Sequence, residues 1–151
     1  MIPLVFCIDD DKVALLISKI SLQKTFFCKD VLTADNGKEA IQYFEQQILL
    51  PENEQKIPDL ILLDLNMPFL DGWEFLEIFE QKFSIYHNKI KIALLSSSIN
   101  PNDKERGNAN PFVITFVDKA IGINSLSALK THPALAHFFN QNEQSKQATL
   151  S

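Results

Sequence analysis

Apolar residues run along this chain in two alternating patterns. Ile2 to Ile8 is an unbroken apolar run closed by three aspartates, the pattern of a strand buried on both faces of a parallel sheet. Val13, Leu16, Ile17 and Ile20 then repeat at the spacing of one helical face. Val31 to Ala34 predicts a second strand, and Asp35-Asn36-Gly37 is turn chemistry leading into Ala40, Ile41, Phe44 and Ile48, a second amphipathic helix. Pro51 to Pro58 is polar and bounded by prolines, which predicts a loop before the strongest strand signal in the chain, Leu60 to Leu63. Trp73, Leu76, Phe79 and Phe83 fit a third helix, and Ile90 to Leu95 a fourth strand. Pro101 suits the first position of a polar helix over Asn102 to Ala109, Phe112 to Val117 forms a fifth strand, and Asn124 or Ser125 would cap a last helix carrying Leu126 and Leu129. Strand and helix thus alternate five times. That alternation predicts an α/β, doubly wound parallel sheet with helices on both faces and right-handed crossovers.

Composition narrows the possible partners. The chain has 151 residues, of which 46% are hydrophobic, enough to bury a substantial core. Fourteen basic against nineteen acidic residues leave a formal charge of -5, with no positive field to draw the protein onto phosphate backbones, so no direct nucleic-acid partner is expected. The apolar start is preceded by no basic residue and stops at acid, unlike a signal peptide, and no apolar stretch reaches the length needed to cross a bilayer. Cys7 and Cys28 fit no metal or redox spacing and are expected as reduced thiols in a cytoplasmic protein. From Asn140 the chain turns polar and rich in Gln and Ser, so the expected organisation is one domain over residues 1–139 and a disordered tail over residues 140–151.

In a doubly wound sheet, ligands bind outside the carboxyl ends of the strands, where the strand order reverses. The predicted strand ends here carry Asp9, Asp10 and Asp11, then Asp64, then Ser96, Ser97 and Ser98, then Asp118 and Lys119. Carboxylates brought together repel one another unless a cation compensates, and a hard ion such as magnesium, held by one or two carboxylates, is the natural choice. One aspartate can then act as a nucleophile toward phosphorus, with a lysine and a hydroxyl neutralising the charge of the transferring group. Each feature has a plainer reading by itself. An aspartate after a strand caps a helix, proline with Asp-Gly makes a turn, three serines form a polar strand exit, and an aromatic residue in a strand is usually core. Their joint occurrence at four strand ends weighs against those readings.

The stretches Cys7-Ile8-Asp9-Asp10-Asp11, Leu63-Asp64-Leu65-Asn66-Met67-Pro68 with Asp71-Gly72, Leu94-Leu95-Ser96-Ser97 and Phe116-Val117-Asp118-Lys119 resemble the receiver domain of bacterial two-component response regulators, over about Ile2 to Leu129. The resemblance implies a flavodoxin-like (βα)5 fold with strand order 2-1-3-4-5. It implies Asp64 as phosphoacceptor, Asp10 as a direct Mg2+ ligand, Asp9 as a ligand through water and Asn66 as a ligand through its backbone carbonyl. Lys119 would pair with the phosphoryl group, Ser96 would donate its hydroxyl to it, and Phe116 would swing inward as the partner of that shift. Asn66 and Ser98 would gate the attacking water. The implied partners are a sensor histidine kinase or histidine phosphotransfer protein and an unidentified downstream protein. The implied function is a stand-alone response regulator that catalyses its own phosphorylation and dephosphorylation. Three departures stand out: Ala120 where the family usually has proline, serine rather than threonine at position 96, and a long loop from Leu49 to Pro58. Two other readings stay open. One is a receiver-shaped binding module that no longer takes phosphate. The other is a Mg2+-dependent phosphatase with an aspartyl nucleophile, disfavoured because Asn66 occupies the place of its second aspartate. His137 could serve in phosphotransfer, and residues 131–139 could either pack as helix or form a docking surface.

Overall fold

A computed structural model describes residues 1–119 and 121–140 of the chain. Five strands, β1 (Ile2–Ile8), β2 (Cys28–Ala34), β3 (Leu60–Asp64), β4 (Lys91–Ser96) and β5 (Val113–Asp118), alternate with five helices, α1 (Lys12–Lys24), α2 (Gly37–Ile48), α3 (Gly72–Lys82), α4 (Pro101–Asn108) and α5 (Ile123–Thr131). Every strand pair is parallel, and the order across the sheet is β2-β1-β3-β4-β5. The doubly wound sheet expected from the alternation, with its reversal of strand order between β1 and β3, is therefore present.

Successive side chains on a strand point to opposite faces, so the unbroken apolar strands feed two separate cores. Ile8, Ile61, Leu63, Ile92 and Leu94 face one layer with Phe44 of α2 and Phe75 and Phe79 of α3. Val5, Cys7, Leu60, Leu62, Ala93, Leu95 and Val117 face the other with Leu15 and Leu22 of α1 and Leu126 and Leu129 of α5. The first layer is built on rings: Phe79 lies 5.0 Å from Phe44, 5.4 Å from Phe83 and 4.8 Å from Phe112, with tilted or edge-on faces. Such pairs add roughly 0.5–1.5 kcal/mol each beyond the area they bury.

Strand and helix limits differ from the sequence reading by one to three residues, chiefly because β2 begins at Cys28 rather than Val31. Two differences go deeper. In α1 the apolar positions Val13, Leu16, Ile17 and Ile20 are 43–64% exposed, while Leu15, Ser18 and Leu22 face the sheet. The inward stripe contains a serine, so the apolar periodicity picked out the neighbouring, outward stripe. In α5 neither Asn124 nor Ser125 caps the helix; Gly122 stands at that position with no side-chain hydrogen bond, and the helix begins at Ile123.

The chain past α5 packs rather than dangles. Leu135 is fully buried, and Phe138 and Phe139 lie against the core between the sheet and α1/α5. Lys130 Nζ donates to the Thr25 carbonyl at 2.9 Å, and the amino terminus donates to the Phe138 carbonyl at 2.9 Å. The N–H of Ala134 donates to His132 Nδ1, so the ring proton sits on Nε2 and is donated to the Ile114 carbonyl of β5 at 3.1 Å. Asn140 still closes a helical turn, its N–H bonded to Ala136; residues 141–151 of the expected tail lie outside the described residues, as does Ala120. The long loop before β3 is likewise stitched down. Lys56 N–H donates to Gln47 Oε1, Gln55 Nε2 donates to the Leu50 carbonyl, and the Tyr86 hydroxyl donates to Gln55. Among the described residues, no helix is long and apolar enough to cross a membrane.

Candidate functional site

β1, β3, β4 and β5 are consecutive in the parallel sheet, so their carboxyl ends lie along one rim. Asp64 ends β3 and is completely buried. Its Oδ1 accepts the N–H of Asn66 at 3.0 Å, and its Oδ2 accepts Lys119 Nζ at 2.9 Å. Lys119 follows β5, with its N–H bonded to the Ser96 carbonyl at 3.1 Å, which ties the ends of β4 and β5 together beneath the ammonium. The same ammonium lies 3.9 Å from Asp9 Oδ1.

Asp9, Asp10 and Asp64 each offer a carboxylate oxygen within 4.8 Å of the other two, with Asp9 and Asp64 buried and Asp10 exposed. Burial pushes the Asp9 carboxyl up to about 6 and the charge of Asp64 adds to the rise, against the lowering effect of the Asp11 N–H and of Lys119. Burial also opposes the charge on Lys119, but its hydrogen bond to Asp64 and the fields of Asp64, Asp9 and Asp10 outweigh that and hold it above its ordinary value. One lysine thus serves three carboxylates, and negative charge is left uncompensated. A set of hard oxygen donors with one member open to solvent fits Mg2+, which keeps several waters and takes only one or two carboxylates.

Asp11 does not join this cluster. Its Oδ1 accepts the N–H groups of Val13 at 2.9 Å and Ala14 at 3.2 Å, so it caps α1. Its own N–H donates to Asp9 Oδ1 at 2.9 Å, which fixes the Asp9 carboxylate from the backbone side. Asn66 is exposed, next to Asp64 in the loop that leads to α3. That loop is held hard against β3: Gly72 N–H donates to the Leu65 carbonyl at 3.1 Å, and a Cβ placed on Gly72 would stand 2.7 Å from the Asp64 carbonyl oxygen. Asp71 and Glu74 close a capping box over the first turn of α3.

Ser96 is buried at the end of β4, its hydroxyl donating to the Ser98 carbonyl at 2.8 Å and accepting the Ser98 N–H, while Ser98 itself is exposed. Phe116 is half-buried and packs on the ring-lined core beside α4. His137 lies away from this rim, its ring 4.0 Å from that of Phe138. Two features escaped the sequence reading. Gly72 is legible only as a turn and motif residue; its close approach to the end of β3 is not, because that depends on the tertiary path. Phe69, in the loop after Asp64, is fully exposed with φ of 67°, and its flanks are joined by a Leu70 N–H to Pro68 carbonyl bond of 2.8 Å, the geometry of a rare γ-turn. A lone aromatic residue in sequence does not announce that conformation.

A rim with a buried carboxylate, an opposing lysine, flanking carboxylates and a buried hydroxyl can bind a hard cation and a phosphoryl group side by side. Known proteins share the arrangement's scaffold. A two-component response regulator from Cytophaga hutchinsonii superposes with a TM-score of 0.76 at 30% identity, over 85% of this chain and 93% of its own. The phosphorylated cyanobacterial phytochrome response regulator RcpA superposes with a TM-score of 0.65 at 28% identity, over 85% and 89%. The chemotaxis protein CheY4 of Vibrio cholerae, at 23% identity and a TM-score of 0.70 over 87% and 99%, shares the fold. The sequence pattern of the response regulator receiver domain matches residues 5–130. The chain belongs to the response regulator receiver domain family, and its setting is two-component signalling.

Proposed function

We propose that the protein is a phosphorylation switch that accepts a phosphoryl group on Asp64 from a phosphohistidine and signals through a change of shape. The observation that carries the reading is the Asp64 carboxylate itself, fully buried yet held at 2.9 Å by Lys119 and joined by two further carboxylates within 4.8 Å. That is an expensive arrangement for a protein to keep without a use for it.

In this reading Asp10, Asp9 and Asp64, with the backbone carbonyl of Asn66, would hold Mg2+, which would supply positive charge opposite the incoming phosphoryl oxygens. An Asp64 oxygen attacks phosphorus, the bond to the donor's imidazole breaks, and the imidazole leaves with the electron pair, giving an aspartyl phosphate. Lys119 exchanges its contact with Asp64 for one with the new phosphoryl group. Ser96 rotates its hydroxyl from the Ser98 carbonyl to a phosphoryl oxygen, and Phe116 follows on the same face of the sheet. Asn66 and Ser98, both exposed beside the site, tune how readily water removes the group. Exchanging either without changing the decay rate of the aspartyl phosphate would refute that role. The exposed apolar stripe of α1, Val13, Leu16, Ile17 and Ile20, flanks the same rim and suits the docking of a helical phosphodonor, a histidine kinase or phosphotransfer protein.

Incubation with acetyl phosphate, with and without Mg2+, followed by intact mass measurement, tests the reading against an Asp64→Asn control. A Mg2+-dependent gain of one phosphoryl group that the control lacks supports it. A folded protein that gains nothing over a long incubation is instead a receiver-shaped binding module.

A further inference from the structure

Helix α4 carries a gap where a side chain would meet the switch residue. A Cβ built on Gly107 would lie 2.5 Å from Cζ and 2.9 Å from Cε2 of Phe116, and 3.4 Å from a methyl of Leu94. Gly107 is the one buried residue of α4, so this close approach faces the core and not solvent. Leu94 and Phe116 are register partners on β4 and β5, and Ser96 follows Leu94 on the same face of β4. The ring of Phe116 therefore lies in a notch in α4, one step along the sheet from the hydroxyl at the site. On the other side of Gly107, the Arg106 guanidinium lies 4.6 Å above the ring of Trp73 in α3. Trp73 is the chain's single tryptophan.

We propose that Gly107 is a positioning residue: its bare backbone forms the seat that holds Phe116 in the resting arrangement, and so sets how readily phosphorylation of Asp64 flips the switch. The inference rests on Asp64 as phosphoacceptor. With Ser96 turned toward Ser98, the ring rests in the notch; when Ser96 is drawn to a phosphoryl oxygen, the ring can slide along its face of the sheet and leave α4. A methyl at position 107 penalises the first arrangement and leaves the second untouched. Since the ring and α4 share this contact, its loss also frees Arg106 to shift over Trp73.

Four proteins test this: wild type, Gly107→Ala, Phe116→Leu, which lacks the two ring carbons that meet the notch, and the double variant. Each is titrated with acetyl phosphate at fixed Mg2+, reading phosphorylated fraction by mass and Trp73 emission by fluorescence. Gly107→Ala is expected to lower the half-saturating acetyl phosphate concentration by at least about fivefold, the lower end of what one extra core methyl costs. Its Trp73 emission before phosphorylation is expected to resemble that of the phosphorylated wild type. In the Phe116→Leu background the same substitution should change neither. The helix-propensity gain of Gly to Ala is common to both backgrounds and cancels. If Gly107→Ala does not fold while the double variant does, the clash with the ring is demonstrated directly. Unchanged labelling and emission in Gly107→Ala, or an equal shift in both backgrounds, would overturn the proposal while leaving the phosphoacceptor intact. A wild type that takes no phosphoryl group would overturn the phosphoacceptor reading instead.

Discussion

Gly72 is where the chemistry is most exposed to a small steric change. A Cβ there would stand 2.7 Å from both the Asp64 carbonyl oxygen and the Leu65 Cα, which is 0.7 Å short of the 3.4 Å at which ordinary contact begins. Both neighbours are backbone, so neither can rotate away. Gly72→Ala must therefore push α3 off the end of β3 or drag the Asp64 peptide with it, and it strains the 3.1 Å bond from Gly72 N–H to the Leu65 carbonyl. Overpacking of this kind costs about 1–3 kcal/mol, and the gain in helix propensity at a first-turn position offsets only part of it. For a chain of this size that lowers the melting temperature by about 2–10 °C. Displacement of a nucleophile by a fraction of an ångström slows reaction steeply, so labelling by acetyl phosphate should fall by about tenfold or more. Gly122→Ala is the matched control: nothing lies within 4 Å of a Cβ there, and labelling should be unchanged. The assay pairs a thermal melt with the initial labelling rate of each variant. A Gly72→Ala protein that melts and labels as wild type does would refute the steric reasoning.

Other outcomes follow from the same geometry. Lys119→Ala leaves the buried Asp64 facing Asp9 and Asp10 without its cation, so melting temperature in EDTA should drop, and added MgCl2 should raise it more than it raises that of wild type; equal responses would contradict the charge argument. Replacing Leu16 and Ile17 by lysine should alter stability by less than about 0.5 kcal/mol for each in urea unfolding, because both side chains are more than half exposed; a loss of about 2 kcal/mol or more would return them to the core. Phe79→Ala should cost about 3–5 kcal/mol, since that fully buried ring touches four others. Burial pushes the Cys7 thiol up to about 12 and the Cys28 thiol up to about 11, which disfavours the reactive thiolate, so neither should react with a disulfide reagent at pH 8 until the protein is unfolded.

The parts of this molecule that could be read from sequence are those in which chemistry and periodicity agree. β3 and β4 are apolar over Leu60–Leu63 and Ile92–Leu95, and a strand buried on both faces has no other pattern to show. The rim residues follow from them, because a parallel sheet forces Asp9, Asp64, Ser96 and Lys119 to one edge whatever the loops do. α1 misled because its stripe facing the sheet holds Ser18 between Leu15 and Leu22, while a more apolar stripe faces outward. Where the more apolar stripe of a helix is the exposed one, periodicity points the wrong way. The α5 cap failed for a different reason: two good capping residues stood inside the first turn, and the path of the chain, not local propensity, put Gly122 at the boundary. Close approaches at Gly72 and Gly107 were invisible because they depend on which element lies opposite.

The two cores on either side of the sheet have a bearing on traffic at the rim. Asp9, Asp64 and Lys119 continue the strand phase of Cys7, Leu62 and Val117, which face α1 and α5, whereas Ser96 and Phe116 continue the phase of Leu94, which faces α3 and α4. On the proposed reading, a phosphodonor seated on α1 leaves α4, which lies on the opposite face of the sheet, open to a second protein, so both could be bound at once.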